Sequence, residues 1–342
     1  MEDRVSEALL DWYGRNARVL PWRAPPGAAE RPDPYRVWLS EVMLQQTTTG
    51  HAAPYFEKFL RLWPTVHALA AADDAAIMAE WAGLGYYSRA RNLVACARAV
   101  AQRGGFPFGE EGLRELPGIG EYTAAAIVAI AHGRRAIVID ANVERVVARL
   151  FLIDRPLPAA KPAIRAAMER ITPEKRAGDF AQALMDLGAT ICTPRDPKCL
   201  LCPLNDVCQA RAEGRQADLP VKAPKRARPL RAGTAFWIER DEKVWLVTRP
   251  GRGMLGGMRA LPDDGWNARA NGNEEAPIKG AWQAGGVVRH GFTHFDLELG
   301  VAIYAGARFD DLADGEWWPL SDLDAAGLPT LFAKAARLAL AR

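Results

Sequence analysis

Cys192-Thr-Pro-Arg-Asp-Pro-Lys-Cys199-Leu-Leu-Cys202-Pro-Leu-Asn-Asp-Val-Cys208 places four of the chain's five cysteines within seventeen residues. Four thiolates gathered in one segment can hold a metal or a cluster. A structural zinc site pairs two C-x2-C knuckles at a longer separation. Here one C-x2-C sits between gaps of six and five, a better shape for wrapping a [4Fe-4S] core; zinc and inert cysteines are the alternatives. A disulfide role is weak, because nothing marks the chain as secreted.

Outward from this loop the chain divides by composition. At 342 residues it is long enough for two domains, and 49% hydrophobic with 25% charged residues is the balance of a soluble globular protein. The polar, acidic start reads as no signal peptide, and no apolar run approaches a membrane span; a reducing cytoplasm is the expected location. Residues 232–342 hold 12 Lys and Arg against 15 Asp and Glu, so within a total of +3 the remainder carries +6. Val221–Arg231 adds five basic residues and no acidic one. This bias suits a polyanionic partner, and ordinary surface charge explains it equally well.

Residues 1–216 are read as helical, with apolar spacing near 3.6 in Ala68–Trp81, Ala90–Gln102 and Tyr122–His132. Residues 217–231 form a basic, proline-rich linker. Beyond it, Thr234–Ile238, Val244–Thr248, Val287–Leu299 and Val301–Tyr304 read as strands and Leu331–Leu340 as a helix. The predicted architecture is an all-α part joined to a small α+β domain at 232–342. Cys96, inside an apolar helix, is a core residue.

Three further stretches carry chemistry. Leu116-Pro-Gly-Ile-Gly120 joins two helical patterns; Gly118 and Gly120 permit a tight turn whose following helix offers free N–H groups to a phosphate, unless it is a plain helix–helix turn. Asp140 follows the apolar run Ile137–Ile139 and precedes a helix, so it reads as an N-cap and equally as an anion held by helix N–H groups. Glu41 sits among Trp38, Leu39, Val42, Met43 and Leu44, with Gln45 on the same helical face. Burial there would raise its pKa and let it hold a proton near neutrality; the plain alternative is an exposed Glu on a half-buried helix. Two carboxylates in different surroundings suit cleavage of an N-glycosidic bond, one delivering a proton and one staying charged beside an oxocarbenium-like sugar.

The hairpin, the acidic residue about twenty positions on and the cysteine spacing together resemble the helix-hairpin-helix DNA glycosylase superfamily. W-L-S-E-V-M-L-Q-Q-T at 38–47, Pro21-Trp22, G-L-G-Y-Y-S-R-A-R-N at 83–92, M-D-L-G-A at 185–189 and C-P-L at 202–204 resemble the adenine DNA glycosylase (MutY) family over essentially the whole chain. The resemblance implies that Glu41 protonates adenine and handles the water. It implies that Asp140 stabilises the sugar cation, through its charge or a transient adduct, beside Asn142, and that Gln46 and Tyr86 insert into the duplex. Such wedges serve base flipping.

Bifunctional relatives carry a Lys at the position of Tyr122, whose amine forms a Schiff base; Tyr122 cannot, so a monofunctional enzyme leaving an abasic site is expected. The second domain resembles the family's Nudix-like module, with no R-E-x-x-E-E run and therefore no expected pyrophosphatase activity. Phe292-Thr293-His294 matches that module's Phe-Ser-His loop for 8-oxoguanine, unless it is an ordinary surface turn. Ala141 stands where the family has Gly. The implied partner is double-stranded DNA carrying 8-oxoguanine·adenine or guanine·adenine mispairs, bound by a monomer with no membrane. The cysteine loop, with Arg195, Lys198 and Arg211, is expected to present basic residues to phosphates rather than to catalyse. A thymine or uracil mismatch glycosylase and a non-catalytic lesion-binding protein are the alternatives.

Overall fold

A computed structural model describes residues 2–224, 227–250, 254–306, 309, 312 and 314–341. Two compact units divide the chain, 1–224 and 225–342.

The first unit is helical: α1 (Glu2–Asn16), α2 (Pro34–Leu44), α3 (Thr49–Leu62), α4 (Val66–Ala71), α5 (Asp74–Glu80), α6 (Ser88–Arg103), α7 (Glu110–Arg114), α8 (Glu121–Ile130), α9 (Ala141–Leu150), α10 (Lys161–Ile171), α11 (Ala177–Thr190) and α12 (Gln209–Ala212). Helix α2 starts where Asp33 caps it, accepting from the Tyr35 N–H at 2.7 Å, with Pro34 in the first turn where its missing N–H loses nothing. Its residues 37–43 are all buried. Helix α8 is apolar all round and packs against α2, α7 and α11, which makes it the centre of this core. Helix α11 lies close on α9 because Gly188 has no side chain: a Cβ there would stand 2.6 Å from the Asn142 Cβ. Cys96 is fully buried in this core.

The second unit contains β1 (Leu230–Trp237), β2 (Glu239–Arg240), β3 (Lys243–Thr248), β4 (Arg259–Ala260), β5 (Trp282–Gly291), β6 (Asp296–Tyr304), β7 (Glu316–Pro319) and α13 (Thr330–Leu340). Strand β6 is central to one sheet, parallel to β1 and antiparallel to β5. Strand β3 pairs with β2, β4 and β7. Helix α13 packs on β5, β6 and β1, and Trp237, Trp266, Phe295, Leu299 and Phe332 fill the core.

Three local readings are corrected. The Ala68–Trp81 pattern breaks into α4 and α5, because Asp73 caps a new helix by accepting from the Ala76 N–H at 3.0 Å. The run Val287–Leu299 is two strands, β5 and β6, reversing at 292–295. Helix α2 ends at Leu44, so Gln45 is its C-cap rather than a residue on the helical face of Glu41. Within residues 217–231, Leu219 is buried, the Leu157 N–H donates to the Val221 carbonyl at 2.8 Å, and β1 already begins at Leu230. Among the described residues no helix is long and apolar enough to cross a membrane.

Candidate active site and cluster loop

A cavity of about 370 Å³ in the first unit brings together Glu41, Gln45, Gln46, Tyr122, Asp140, Ala141 and Asn142, three stretches far apart in sequence. Glu41 comes from α2 and is 7% exposed. Burial, joined by the nearby Asp140 charge, pushes its carboxyl up to about 7, while a hydrogen bond from Tyr122 and the Arg23 cation oppose the rise. Tyr122, in the first turn of α8, donates that bond; burial and the two carboxylates push its phenol well above its usual range, so it stays a neutral donor.

Asp140 caps α9. Its Oδ1 accepts from the Val143 N–H at 2.7 Å and its Oδ2 from Asn142 Nδ2 at 2.9 Å. The capping reading of this residue is therefore met, with both carboxylate oxygens held by donors. Ala141 is the first residue of the helix it caps. Asn142 Oδ1 in turn accepts from Arg145 Nη2 at 2.9 Å, and Arg145 Nε donates to the Cys192 carbonyl at 2.8 Å. A continuous polar chain therefore joins the Asp140 carboxylate to the start of the cysteine loop.

Sequence reasoning missed Arg18, Arg23 and Asp186. The fully buried Asp186 on α11 receives Arg18 Nε at 2.5 Å and Arg23 Nη1 at 2.7 Å, and both cations line the cavity. Their signal was present in Pro21-Trp22 and M-D-L-G-A, but the pairing spans more than 160 residues.

Tyr86, Gly118 and Gly120 do not line the cavity, whereas Gln46 does. Tyr86 is 60% exposed. Tyr86 and Gln46 both hold left-handed backbone, with φ of 49° and 58°. Gly118 turns the hairpin with φ of 74°, and Gly120 is the N-cap of α8. In the second unit, Thr293 and His294 are exposed at the tip of the β5–β6 turn. Phe292 anchors that turn, stacking on Phe295 at 4.7 Å and 17° with the His290 ring against it at 4.7 Å.

Cys192, Cys199, Cys202 and Cys208 are free thiols lining one small pocket with Arg149 and Arg211. Arg149 Nη1 donates to Cys192 Sγ at 3.3 Å. Burial pushes the Cys202 thiol up to about 12. Four thiols around one pocket, with the C-x6-C-x2-C-x5-C spacing, suit a cluster.

Residues 39–173 match the HhH-GPD superfamily of base excision DNA repair proteins, residues 192–208 the iron–sulfur binding domain of endonuclease III, and residues 234–338 a NUDIX domain. A solved thermostable thymine-DNA glycosylase superposes with a TM-score of 0.54 at 29% identity, covering 62% of this chain and 97% of that one. A trapped endonuclease III–DNA covalent intermediate superposes at 0.52 and 21% identity over 63% and 98%, which speaks to fold alone. The fold and the three matched families make this a chain of the helix-hairpin-helix glycosylase class, with an iron–sulfur loop and a Nudix-type second domain.

The adenine DNA glycosylase of Buchnera aphidicola (strain APS) is 35% identical over 70% of this chain and 69% of its own length. That of Mycolicibacterium smegmatis is 38% identical over 60% and 69%. The human one is 41% identical over 62% of this chain, but the match spans only 40% of the human protein. The chain belongs to the adenine DNA glycosylase family.

Proposed function

We propose that this protein is a monofunctional glycosylase that removes adenine mispaired with 8-oxoguanine or guanine in duplex DNA and leaves an abasic site. The observation that carries this reading is the pairing, in one cavity, of a buried Glu41 pushed up to about 7 with a capped Asp140. Near neutrality a large share of Glu41 is protonated, and it gives that proton to a ring nitrogen of the extruded base. The C–N bond breaks with its electron pair leaving on the base. Asp140, oriented by Asn142 and the Val143 N–H, faces the resulting sugar cation. Water adds to the sugar carbon and returns its proton to the Glu41 carboxylate, which restores the starting state.

Tyr122 offers a phenol and no amine, so no Schiff base forms at that position and the strand is left intact. Cys192, Cys199, Cys202 and Cys208 would hold the [4Fe-4S] cluster, which would supply a rigid core to the loop bearing Arg195, Lys198 and Arg211. Thr293 and His294 are the proposed 8-oxoguanine contacts. The domain assignment proposed is glycosylase at 1–216, linker at 217–231 and lesion-recognition module at 232–342, acting as a monomer in the cytoplasm.

The test is adenine release from a duplex with one 8-oxoguanine·adenine pair, beside thymine and uracil mismatches. Excision confined to adenine, lost in Glu41→Gln, and strand breakage only after alkali are expected. Equal rates in wild type and Glu41→Gln, release of thymine instead, or prompt strand breaks would overturn the reading.

A further inference from the structure

Arg89, in the first turn of α6, is an arginine buried to 8% exposure with no carboxylate partner among its hydrogen bonds. Its Nη1 donates to the Val42 and Met43 carbonyls at 2.9 and 3.1 Å, two of the last carbonyls of α2, which have no partner within their own helix. Its Nη2 donates to the Leu84 and Gly85 carbonyls at 2.7 and 3.2 Å. The guanidinium also lies 5.2 Å from the Trp81 ring and 5.7 Å from the Tyr86 ring. One planar fork therefore joins two backbone segments that are distant in sequence. The first runs directly into Gln45 and Gln46. The second runs directly into Tyr86.

Both segments end in residues whose backbone is strained. Gln46 and Tyr86 hold positive φ without being glycine, a conformation that persists only where the surroundings impose it. Both are exposed, so side-chain burial does not impose it. The Arg89 fork holds the carbonyls that precede both of them, beside Trp81 Nε1, which also donates to the Gly85 carbonyl at 3.0 Å. One helical turn further along α6, Asn92 lies against the hairpin: a Cβ on Gly118 would stand 2.8 Å from its Cβ.

We propose that Arg89 is a positioning residue for base extrusion, locking Gln46 and Tyr86 into one rigid pair of wedges. This rests on the reading of those two residues as wedges in a base-flipping enzyme. A wedge that yields on contact cannot part a base pair; two wedges fixed to a common buried cation press on the duplex together. Lysine cannot replace the fork, because its single ammonium lacks the planar, two-armed donor geometry that spans four carbonyls.

Stopped-flow fluorescence of a duplex with 2-aminopurine in place of the target adenine reads extrusion directly, and single-turnover release of adenine reads the chemistry. In Arg89→Lys, extrusion is expected to slow roughly tenfold, the scale of a small misplacement of a working group. The pH at which excision falls off should stay where wild type has it, since Glu41 keeps its surroundings. A cycle against the pair Gln46→Ala and Tyr86→Ala separates positioning from a general loss of structure: adding Arg89→Lys to that pair should scarcely slow extrusion further.

Additive losses, or a displaced pH profile with unchanged extrusion, would overturn the proposal. Should Arg89→Lys not fold, wild-type backbone relaxation decides. Order at Gln46 and Tyr86 equal to that of α2 and α6 supports the proposal, and nanosecond mobility at both overturns it. Wild-type protein that releases no adenine at all would instead overturn the glycosylase reading, leaving the order measurement to test the tie itself.

Discussion

Glu41 and Tyr122 share a proton economy that can be measured. With Glu41 pushed up to about 7, single-turnover excision should be flat at lower pH and fall as pH rises through about 7. Tyr122→Phe removes the bond that holds this value down, so the limb should move to higher pH. The same carboxyl bears on stability. Its folded value lies above the unfolded one, so its contribution is fully present below about pH 4 and is lost as pH rises through about 7. Glu41→Gln should therefore be more stable than wild type at pH 8, by something on the order of 3 kcal/mol, and nearly equal to it at pH 4. Denaturant unfolding at the two pH values reads the difference directly. Asp140→Asn keeps an N-cap but removes the charge, so excision should fall by roughly 10²–10³ with little change in melting temperature.

Helices, not single residues, bring the two carboxylates together. Helix α2 delivers Glu41, α8 delivers Tyr122 and α9 begins at Asp140, while α11 closes the group by packing on α8 and α9. Gly188→Ala tests that closure. Its new Cβ would press on the Cβ and backbone of Asn142, at 2.6 and 3.2 Å, and so disturb the residue that orients Asp140. Overpacking of this kind costs about 1–3 kcal/mol. Excision should fall further than that stability loss alone explains, as a thermal melt beside a single-turnover assay would show. Gly118→Ala acts elsewhere: with φ of 74° and Asn92 in the way, the hairpin must distort, and binding to any duplex, matched or not, should weaken roughly tenfold.

At the scale of the whole chain, each unit has its own buried core. A protein ending at residue 224 should retain the brown-yellow absorption of a cluster and the ability to remove adenine, while losing most of its preference for 8-oxoguanine over guanine. Comparing the two substrates before and after truncation checks this, and equal losses on both would count against the role proposed for Thr293 and His294. The two-part division was legible because the two halves have different periodicities, 3.6 and 2, and local sequence carries periodicity. The cysteine loop was legible because its ligands are neighbours in sequence. Helix ends were less so. The break at Asp73 and the end of α2 before Gln45 depend on caps that compete with otherwise continuous helical patterns.

The sequence by itself offered the two carboxylates proposed for the chemistry, Glu41 and Asp140, and the thiols able to hold a cluster. Only the tertiary structure decided how Glu41 comes to hold a proton near neutrality, because burial beside Asp140 and Tyr122 is a property of three helices packed together. Only it joined Arg18 and Arg23 to Asp186, and Arg89 to the ends of two separate segments. Hydrogen bonds and desolvation act through space over a few ångströms, and no local pattern in the chain encodes which distant residues will share that space.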